Sequence, residues 1–182
     1  MDLDNQIAAL QADLNNAHHV TYLTGAGVST PSHIPDYRSK NGTLITQNVD
    51  GLDKKAGNKH VIEFHGNLYN IFCTKCHEKI SYEEYKESYL HAKDHGIIRP
   101  GIVLYGEPIN EMVLTESIKA IQNSDLVIIA GTSFVVYPFA QLLAYRQAAA
   151  KVWVINNTPV PAPKEVLTII ENAEKVFDKL YI

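Results

Sequence analysis

Three short apolar segments of this chain end abruptly in small or polar residues, and this repeated ending leaves few folds open. The segments are 19–23, 126–130 and 152–155, and the residues that follow them are Gly25-Ala26-Gly27, Gly131-Thr132-Ser133 and Asn156. Short apolar runs that end in glycine or asparagine predict strands that enter tight turns. In an open parallel sheet, ligands bind outside the carboxyl ends of the strands, so the three endings predict one shared site.

Helical segments are predicted between and around these strands. Residues 4–17 place Ile7, Leu10 and Leu14 on one face, with Asp4 as the predicted cap. Residues 139–150 are rich in alanine and leucine, and residues 163–180 are predicted to form a closing helix. The fold class is therefore α/β, a Rossmann-like open parallel sheet with helices on both faces.

The middle of the chain differs in composition. Residues 72–100 hold both cysteines, Cys73 and Cys76, three histidines and little strand pattern. We therefore predict a small inserted module, resembling a zinc ribbon, at 72–100, while residues 1–71 and 101–182 form the Rossmann-like domain.

Composition excludes several classes of partner. The net charge is −4 and 46% of the residues are hydrophobic, which predicts an ordinary globular chain without nucleic-acid partners. Apolar runs such as 126–130 are far shorter than the roughly 20 residues that span a bilayer. The chain opens with acidic residues rather than a basic signal peptide, so we expect no membrane association and a cytoplasmic location.

The glycine turn at Gly25 and Gly27 fits two interpretations. Glycines after a strand let backbone N–H groups approach a pyrophosphate. A full G-x-G-x-x-G motif needs a third glycine at position 30, where Thr30 stands. The motif alone therefore fits a plain tight turn as well as a phosphate loop.

Several longer strings resemble the signatures of one family, the sirtuins, and occur in the order found there. They are Gly25-Ala26-Gly27-Val28-Ser29, Ile34-Pro35-Asp36-Tyr37-Arg38, Thr46-Gln47-Asn48-Val49-Asp50-Gly51-Leu52, Glu63-Phe64-His65-Gly66-Asn67, Arg99-Pro100 with Val103-Leu104-Tyr105-Gly106-Glu107, Gly131-Thr132-Ser133, and Asn156. The resemblance covers roughly residues 20–157, and the string at 46–52 is its most specific part. It implies an NAD-dependent protein-lysine deacetylase or deacylase that produces nicotinamide and O-acyl-ADP-ribose.

The resemblance also implies a set of residues for the co-substrate NAD. They are Gly25, Ala26, Gly27, Thr30, Asp36, Tyr37, Arg38, Gln47, Asn48, Val49, Asp50, Gly131, Thr132, Ser133 and Asn156. By itself, Asp50-Gly51 would be interpreted as a simple turn. The same resemblance makes His65 and Asn48 catalytic, with His65 as the general base, and a histidine titrates close to neutral pH as this role requires.

The expected partner is a protein or peptide that carries an acylated lysine. In sirtuins such a peptide pairs as an added strand, which implies contacts with Val103, Tyr105, Gly106 and Val135. Val103 and Tyr105 fit equally well as residues of a strand core.

Cys73 and Cys76 resemble the first half of the sirtuin zinc site. The second pair of cysteines is absent, and the corresponding positions hold His91 and Asp94, with His95 adjacent. Two interpretations remain open: a zinc ion bound by Cys73, Cys76, His91 and Asp94, or a module that has lost its metal and keeps two thiols.

The chain departs from the sirtuin pattern between Arg38 and Thr46. Sirtuins normally carry a long segment here, whereas this chain has only residues 39–45, through either a deletion or omitted residues between Thr43 and Leu44. A shortened lid over NAD would admit water and weaken activity. Two alternative functions therefore stay open: an NAD-dependent protein ADP-ribosyltransferase and a non-catalytic protein that binds NAD or ADP-ribose.

Overall fold

A parallel sheet of six strands forms the centre of the molecule, in a computed structural model that describes residues 2–29, 42–133, 136–161, 163 and 165–181. Its strands are β1 (Val20–Thr24), β2 (Thr43–Thr46), β3 (Val61–Glu63), β6 (Leu126–Ala130), β7 (Lys151–Asn156) and β8 (Leu167–Ile170). The order across the sheet is β3-β2-β1-β6-β7-β8. The chain therefore builds the sheet outward in both directions from β1 and β6, and the crevice for a ligand is expected at their carboxyl ends.

Helices cover both faces of this sheet, as the α/β prediction required. The helices of the described residues are α1 (Leu3–Asn16), α2 (Ala26–Ser29), α3 (Leu52–Lys55), α4 (Tyr82–Glu87), α5 (Glu111–Asn123) and α6 (Ala173–Phe177), with a 3-10 helix at Phe139–Tyr145; α4 packs on a second, small sheet rather than on this one. One buried cluster joins α1 and α6 to the sheet, and a second joins α5 and the 3-10 helix to the other face. Because both faces are covered, every residue of β1 and β6 is buried.

Three segments differ from the sequence prediction. Helix α1 is capped by Asp2 rather than Asp4, because the Asp2 side chain accepts the Asn5 N–H at 2.9 Å. The 3-10 helix ends at Tyr145 instead of reaching residue 150. Residues 163–180 do not form one helix, because 167–170 add to the sheet as β8 beside β7 and only 173–177 are helical.

A second, small sheet lies in the middle of the chain. Strands β4 (Gly66–Cys73) and β5 (Ile98–Ile102) pair antiparallel, with an irregularity between Asn67 and Ile71. Ile71, Cys73, Ile80 and Ile98 form its buried cluster. The predicted division of the chain at residues 72 and 100 stays a prediction.

Thr43 and Leu44 are consecutive residues of β2, paired with Thr21 and Tyr22 of β1. Among the described residues, no helix is long and apolar enough to cross a membrane.

Candidate functional site

The turns after β1 and β6 touch each other through glycine backbone. Gly25 N–H donates to Ala130 O at 3.2 Å, and Gly27 N–H donates to Gly131 O at 2.8 Å. A Cβ on Gly27 would lie 2.8 Å from Gly131 Cα, and a Cβ on Gly131, whose φ is +60°, would lie 2.6 Å from Val28 N. Glycine is therefore required here because the turns approach more closely than side chains permit.

Gln47 connects the end of β2 to this junction. Its backbone N–H donates to Thr24 O at 3.0 Å, and its side-chain Oε1 accepts the Thr132 hydroxyl at 2.9 Å. The Nε2 atom is buried and has no hydrogen-bond partner within the described part of the chain. A buried unpaired donor costs about 1–3 kcal/mol, so this orphaned amide fits a site that a polar ligand completes.

Asn48 bridges the turns that follow β1 and β2. Its side-chain Nδ2 donates to Gly25 O at 3.2 Å, and its backbone N–H donates to the Thr46 hydroxyl oxygen at 3.1 Å. The first interaction holds the side-chain amide against the glycine turn, and the second fixes the backbone of Asn48 beside the end of β2.

His65 follows β3 and faces the same junction. Its Nδ1 lies 3.3 Å from Gln47 O, and its ring contacts Phe64 and Phe139 with centroid distances of 5.4 and 6.4 Å. A carbonyl oxygen only accepts, so Nδ1 carries the proton and Nε2 keeps its lone pair. Burial lowers the pKa of His65 from its ordinary value of 6.5, and the hydrogen bond with the Gln47 carbonyl partly opposes this shift. The His65 ring therefore remains neutral at a lower pH than a free imidazole does.

These elements line one cleft of about 420 Å³. Its walls combine the glycine turn, the segment after β2, His65 and the loop after β5. Of the residues predicted from the sequence, the cleft is lined by Ala26, Gln47, Asn48, Val49, His65, Val103, Tyr105 and Gly106. The structure thus brings the predicted cofactor, catalytic and substrate residues to one place.

The remaining predicted residues fall into three groups. Gly25, Gly27, Gly131 and Thr132 form the glycine junction and contact Gln47 or each other. Asp50, Ser133 and Asn156 do not line the cleft; Asp50 accepts the Leu52 N–H in a turn, and Asn156 donates to Thr158 O. Thr30, Asp36, Tyr37, Arg38 and Val135 lie outside the described residues.

An ion pair holds the loop after β5 in shape. The Arg99 guanidinium donates to both carboxylate oxygens of Glu107, at 2.6 and 3.0 Å, and Glu107 also accepts the Leu104 N–H. Arg99 lowers the pKa of Glu107 to about 2, helped by the Leu104 N–H, so the pair is charged at neutral pH. Tyr105, at the tip of this loop, is 99% exposed and is therefore not a core residue.

Sequence reasoning missed the residues that support this cleft from a distance. Phe139 packs on both Phe64 and His65, although it lies far away in the sequence. Nothing in the sequence pattern signals that contact. The ion pair of Arg99 and Glu107 did have a signal, because opposite charges flank the predicted substrate loop.

A separate cluster lies in the small module. One donor atom each from Cys73, Cys76, His91 and Asp94 lies within 4.8 Å of all the others. His91 Nδ1 is 3.4 Å from Cys76 Sγ and 3.2 Å from Asp94 Oδ1, and Cys73 Sγ is 3.4 Å from Asp94 Oδ1. Thiolate, imidazole and carboxylate groups are all zinc ligands, and these three distances are close to the roughly 3.3–3.8 Å that separates donors around a tetrahedral zinc ion, so the cluster is compatible with zinc.

Comparison with known proteins identifies relatives across the whole chain. The model of the Sir2 family matches residues 40–138. NAD-dependent protein deacetylases of Listeria innocua and Lactiplantibacillus plantarum are both 35% identical, over 94% and 98% of this chain and 99% and 100% of their own lengths. The two alignments span 226 and 233 positions, more than the 182 residues of this chain, so both relatives carry residues that have no counterpart here.

Solved structures agree with the sequence relatives. A Sir2 protein in complex with a p53 peptide and NAD⁺ superposes with a TM-score of 0.85, at 26% identity, over 98% of this chain and 97% of that one. Sir2Af2 bound to a myristoylated histone peptide has a TM-score of 0.84 at 26% identity, over 97% of this chain and 95% of that one. The parallel sheet with its small module is therefore the architecture of these proteins.

Proposed function

Because the chain belongs to the Sir2 family, we propose that it is an NAD-dependent protein-lysine deacylase that releases nicotinamide and O-acyl-ADP-ribose. The observation that carries the proposal is the position of His65, in one cleft with Ala26, Gln47 and Asn48 at the carboxyl ends of β1 and β2.

Each part of the cleft has a chemical role in this proposal. NAD supplies a labile bond between its nicotinamide and a ribose. The glycine junction and the Gln47 amide bind the co-substrate, with Ser133, Asn156 and the residues of 30–38 named above as further contacts. Asn48 and Asp50 orient the reacting end. His65 Nε2 accepts a proton from a ribose hydroxyl, since its lone pair is available while Nδ1 donates to Gln47 O.

The substrate is a protein or peptide with an acylated lysine. The loop at Val103, Tyr105 and Gly106 offers backbone groups for strand addition, and Val135 is proposed to pair from the other side. Solved Sir2 structures hold a propionylated peptide and a myristoylated histone peptide, which supports this role.

The cluster of Cys73, Cys76, His91 and Asp94 is proposed to hold a structural zinc ion. With all four positions filled by side chains, zinc would keep no open position for catalysis, so its contribution is to the fold of the module at 72–100. The cytoplasmic location and the absence of nucleic-acid and membrane partners stay predictions.

The direct test is incubation of the protein with NAD and an acetyl-lysine peptide, followed by mass spectrometry of the products. We expect the deacetylated peptide, nicotinamide and O-acetyl-ADP-ribose in equal amounts. Nicotinamide release with ADP-ribose attached to protein would instead identify an ADP-ribosyltransferase.

A non-catalytic NAD-binding protein is the second candidate, favoured by the residues that its relatives have and this chain lacks. Calorimetric titration with NAD, combined with the product analysis above, distinguishes the two. A non-catalytic protein would bind NAD and form no products over days, whereas the enzyme would bind NAD and form them.

A further inference from the structure

A pair of side chains closes the turn that carries His65. Glu63 ends β3, two residues before His65, and Asn67 lies in β4, two residues after it. Asn67 Nδ2 donates to Glu63 Oε1 at 2.5 Å, so the two strands are joined across the turn. We call this hydrogen bond the clasp. Because its two residues bracket the imidazole, a displacement of one strand against the other would move His65.

The clasp lines a groove of its own. Glu63 and Asn67 contribute to a groove of about 580 Å³, together with Lys54 of α3. The Glu63 side chain is only 14% exposed, so its hydrogen bonds are largely shielded from water. These residues therefore influence the reaction through the position of His65 rather than by contact with a substrate in the catalytic cleft.

The polarity of the clasp is set by the backbone. Asn67 Oδ1 accepts the Tyr69 N–H at 2.8 Å, so the NH2 group of this amide has to face Glu63. An amide nitrogen only donates, and the group at position 63 must therefore be an acceptor. An apolar side chain at position 63 would leave this NH2 group without its partner, and a carboxylate at position 67 would face Glu63 with like charge.

The clasp also supports the loop between β2 and α3. Leu68 N–H, next to Asn67, donates to Val49 O at 2.9 Å. A Cβ on Gly51 would lie 3.2 Å from Asn67 Nδ2, so the backbone of this loop packs on the Asn67 amide. The start of β4 is therefore attached to the loop on one side and, through the clasp, to the end of β3 on the other.

The second oxygen of Glu63 has a weaker partner. Lys54 Nζ donates to Glu63 Oε2 at 2.5 Å, but the Lys54 side chain is 52% exposed. Ion pairs that water reaches contribute little to stability, because solvent screens them and the long lysine side chain loses freedom. The clasp with Asn67, rather than the pair with Lys54, therefore decides where the turn lies.

The position of this turn decides which nitrogen of His65 carries the proton. Its Nδ1 lies 3.3 Å from Gln47 O, at the long end of the range for a hydrogen bond. A small shift of the turn away from Gln47 would break this bond, and the proton would no longer be held on Nδ1. Nε2 would then carry the proton part of the time, and a protonated Nε2 cannot act as the base.

We propose that Glu63 is a positioning residue for His65. Its carboxylate closes the turn through Asn67, and the closed turn keeps the imidazole Nδ1 on the Gln47 carbonyl. The effect on catalysis rests on the function proposed above, whereas the effect on the tautomer of the ring does not.

Substitutions at both ends of the clasp test its polarity. Glu63→Leu removes the acceptor at similar volume, and Asn67→Asp sets two carboxylates against each other. For both we expect kcat to fall about 10- to 100-fold with little change in the KM for NAD, because misplaced groups slow the chemical step. Glu63→Gln can still present its carbonyl oxygen to Asn67, and it should keep kcat within about threefold of the wild type.

The sharpest test combines Glu63→Gln with Asn67→Asp. In this double variant the new amide NH2 group donates to the new carboxylate, which still accepts the Tyr69 N–H. The clasp is restored with donor and acceptor exchanged, so kcat should recover from the level of Asn67→Asp to within about threefold of the wild type. Lys54→Met is the control, because it removes the ion pair and leaves the clasp, and it should retain both kcat and the melting temperature.

NMR of the ring nitrogens of His65, at a pH where the ring is neutral, needs no turnover and does not respond to a uniform loss of stability. In the wild type, Glu63→Gln, Lys54→Met and the double variant we expect the proton on Nδ1. In Glu63→Leu and Asn67→Asp we expect a mixture of the two tautomers, in protein that thermal unfolding shows to be folded.

Three results would overturn the proposal: an unchanged tautomer in Glu63→Leu and Asn67→Asp, a double variant no faster than Asn67→Asp, or a loss in Lys54→Met as large as that in Glu63→Leu. If Glu63→Leu does not fold, the comparison of Asn67→Asp with the double variant decides alone. If the wild-type protein makes no deacylation products, the proposed function fails, and the ring spectra still decide the role of Glu63.

Discussion

The parallel sheet and the small module are stabilised in different ways. Two extended clusters of buried apolar residues cover the two faces of the sheet, whereas the hydrophobic cluster of the module consists, within the described residues, of Ile71, Cys73, Ile80 and Ile98. Burial of one aliphatic side chain contributes about 1.5–3 kcal/mol, which for three isoleucines does not offset the ordering of the module's backbone. The comparison teaches that the sheet can carry unpaired polar groups at its site, and it leads us to expect that the module depends on its donor cluster for folding.

Replacement of His65 by Ala tests the sheet side of this comparison most strongly. We expect turnover to fall about 10²- to 10⁴-fold, because a general base contributes that much, while the melting temperature changes little. Steady-state kinetics with NAD and an acetyl-lysine peptide, beside thermal unfolding, measures both. Equal loss of activity and stability would mean that the imidazole supports the fold rather than the reaction.

Removal of metal tests the module side. After chelation, or in Cys73→Ser, amide protons of 66–102 should lose at least about 3 kcal/mol of protection against hydrogen exchange, because metal binding is coupled to folding. The amides of β1 and β6 should stay protected. His95→Asn is the matched control, since His95 is next to the cluster but outside it. Protection that survives chelation, with no zinc found by elemental analysis, would contradict the proposed site.

The glycine junction predicts a contrast between two residues with similar backbone. Gly131 and Gly106 both have positive φ, at +60° and +88°, but a Cβ would meet backbone at 2.6 Å on Gly131 and nothing within 4 Å on Gly106. We expect Gly131→Ala to destabilise the protein by more than about 2 kcal/mol, and Gly106→Ala by about 1 kcal/mol. Chemical denaturation measures both, and equal values would argue against the tight contact between the turns.

The pH dependence of kcat/KM should report His65 in the free enzyme. A general base must be neutral, and burial lowers the pKa of His65, so activity should fall about tenfold per pH unit only below a midpoint under 6.5. Because the pKa of His65 is lower in the folded state than in the unfolded state, the free energy of unfolding decreases as the pH falls from 6.5 to the folded-state pKa. At still lower pH this contribution of His65 no longer changes. A midpoint above 6.5 would contradict a partly buried imidazole as the base.

The smallest expected effect is that of Glu107→Gln. The amide keeps an acceptor for the Leu104 N–H but loses the charge that pairs with Arg99. Because exposed ion pairs contribute little, we expect the peptide KM to rise about two- to fivefold with kcat unchanged. The wild-type carboxylate has a pKa of about 2, below its usual 4.5, so its contribution is complete above pH 4.5 and is lost only as the pH falls through 2. A kcat effect would show that the loop does more than bind peptide.

Local patterns predicted the sheet well where strand and turn signals lie within one segment. The strand at 126–130 has the predicted bounds, because an apolar run and a glycine define it without help from other segments. The strand at 167–170 was predicted as helix, because its strand conformation depends on pairing with β7. Long-range pairing of this kind leaves no trace in a single segment.

The same division holds for the site. Gln47, Asn48 and His65 belong to recognisable strings, and the structure brings them to one cleft. Glu63 lies inside one of these strings, yet nothing in its sequence position shows that its carboxylate closes the turn around His65. The contact between Phe139 and His65 could not be predicted from the sequence either, because it arises only when the 3-10 helix packs on the sheet.

One backbone hydrogen bond links the proposed peptide-binding segment to the proposed general base. Val103 N–H donates to His65 O at 2.9 Å, so the segment that would receive the peptide is tied to the residue that would accept the proton. If a peptide docks along Val103 as proposed, we expect it to strengthen this hydrogen bond, and by reciprocity a well-ordered imidazole would favour docking. Acceptor engagement and readiness for proton transfer should therefore rise together, which would limit wasteful destruction of NAD while no acyl-lysine is present.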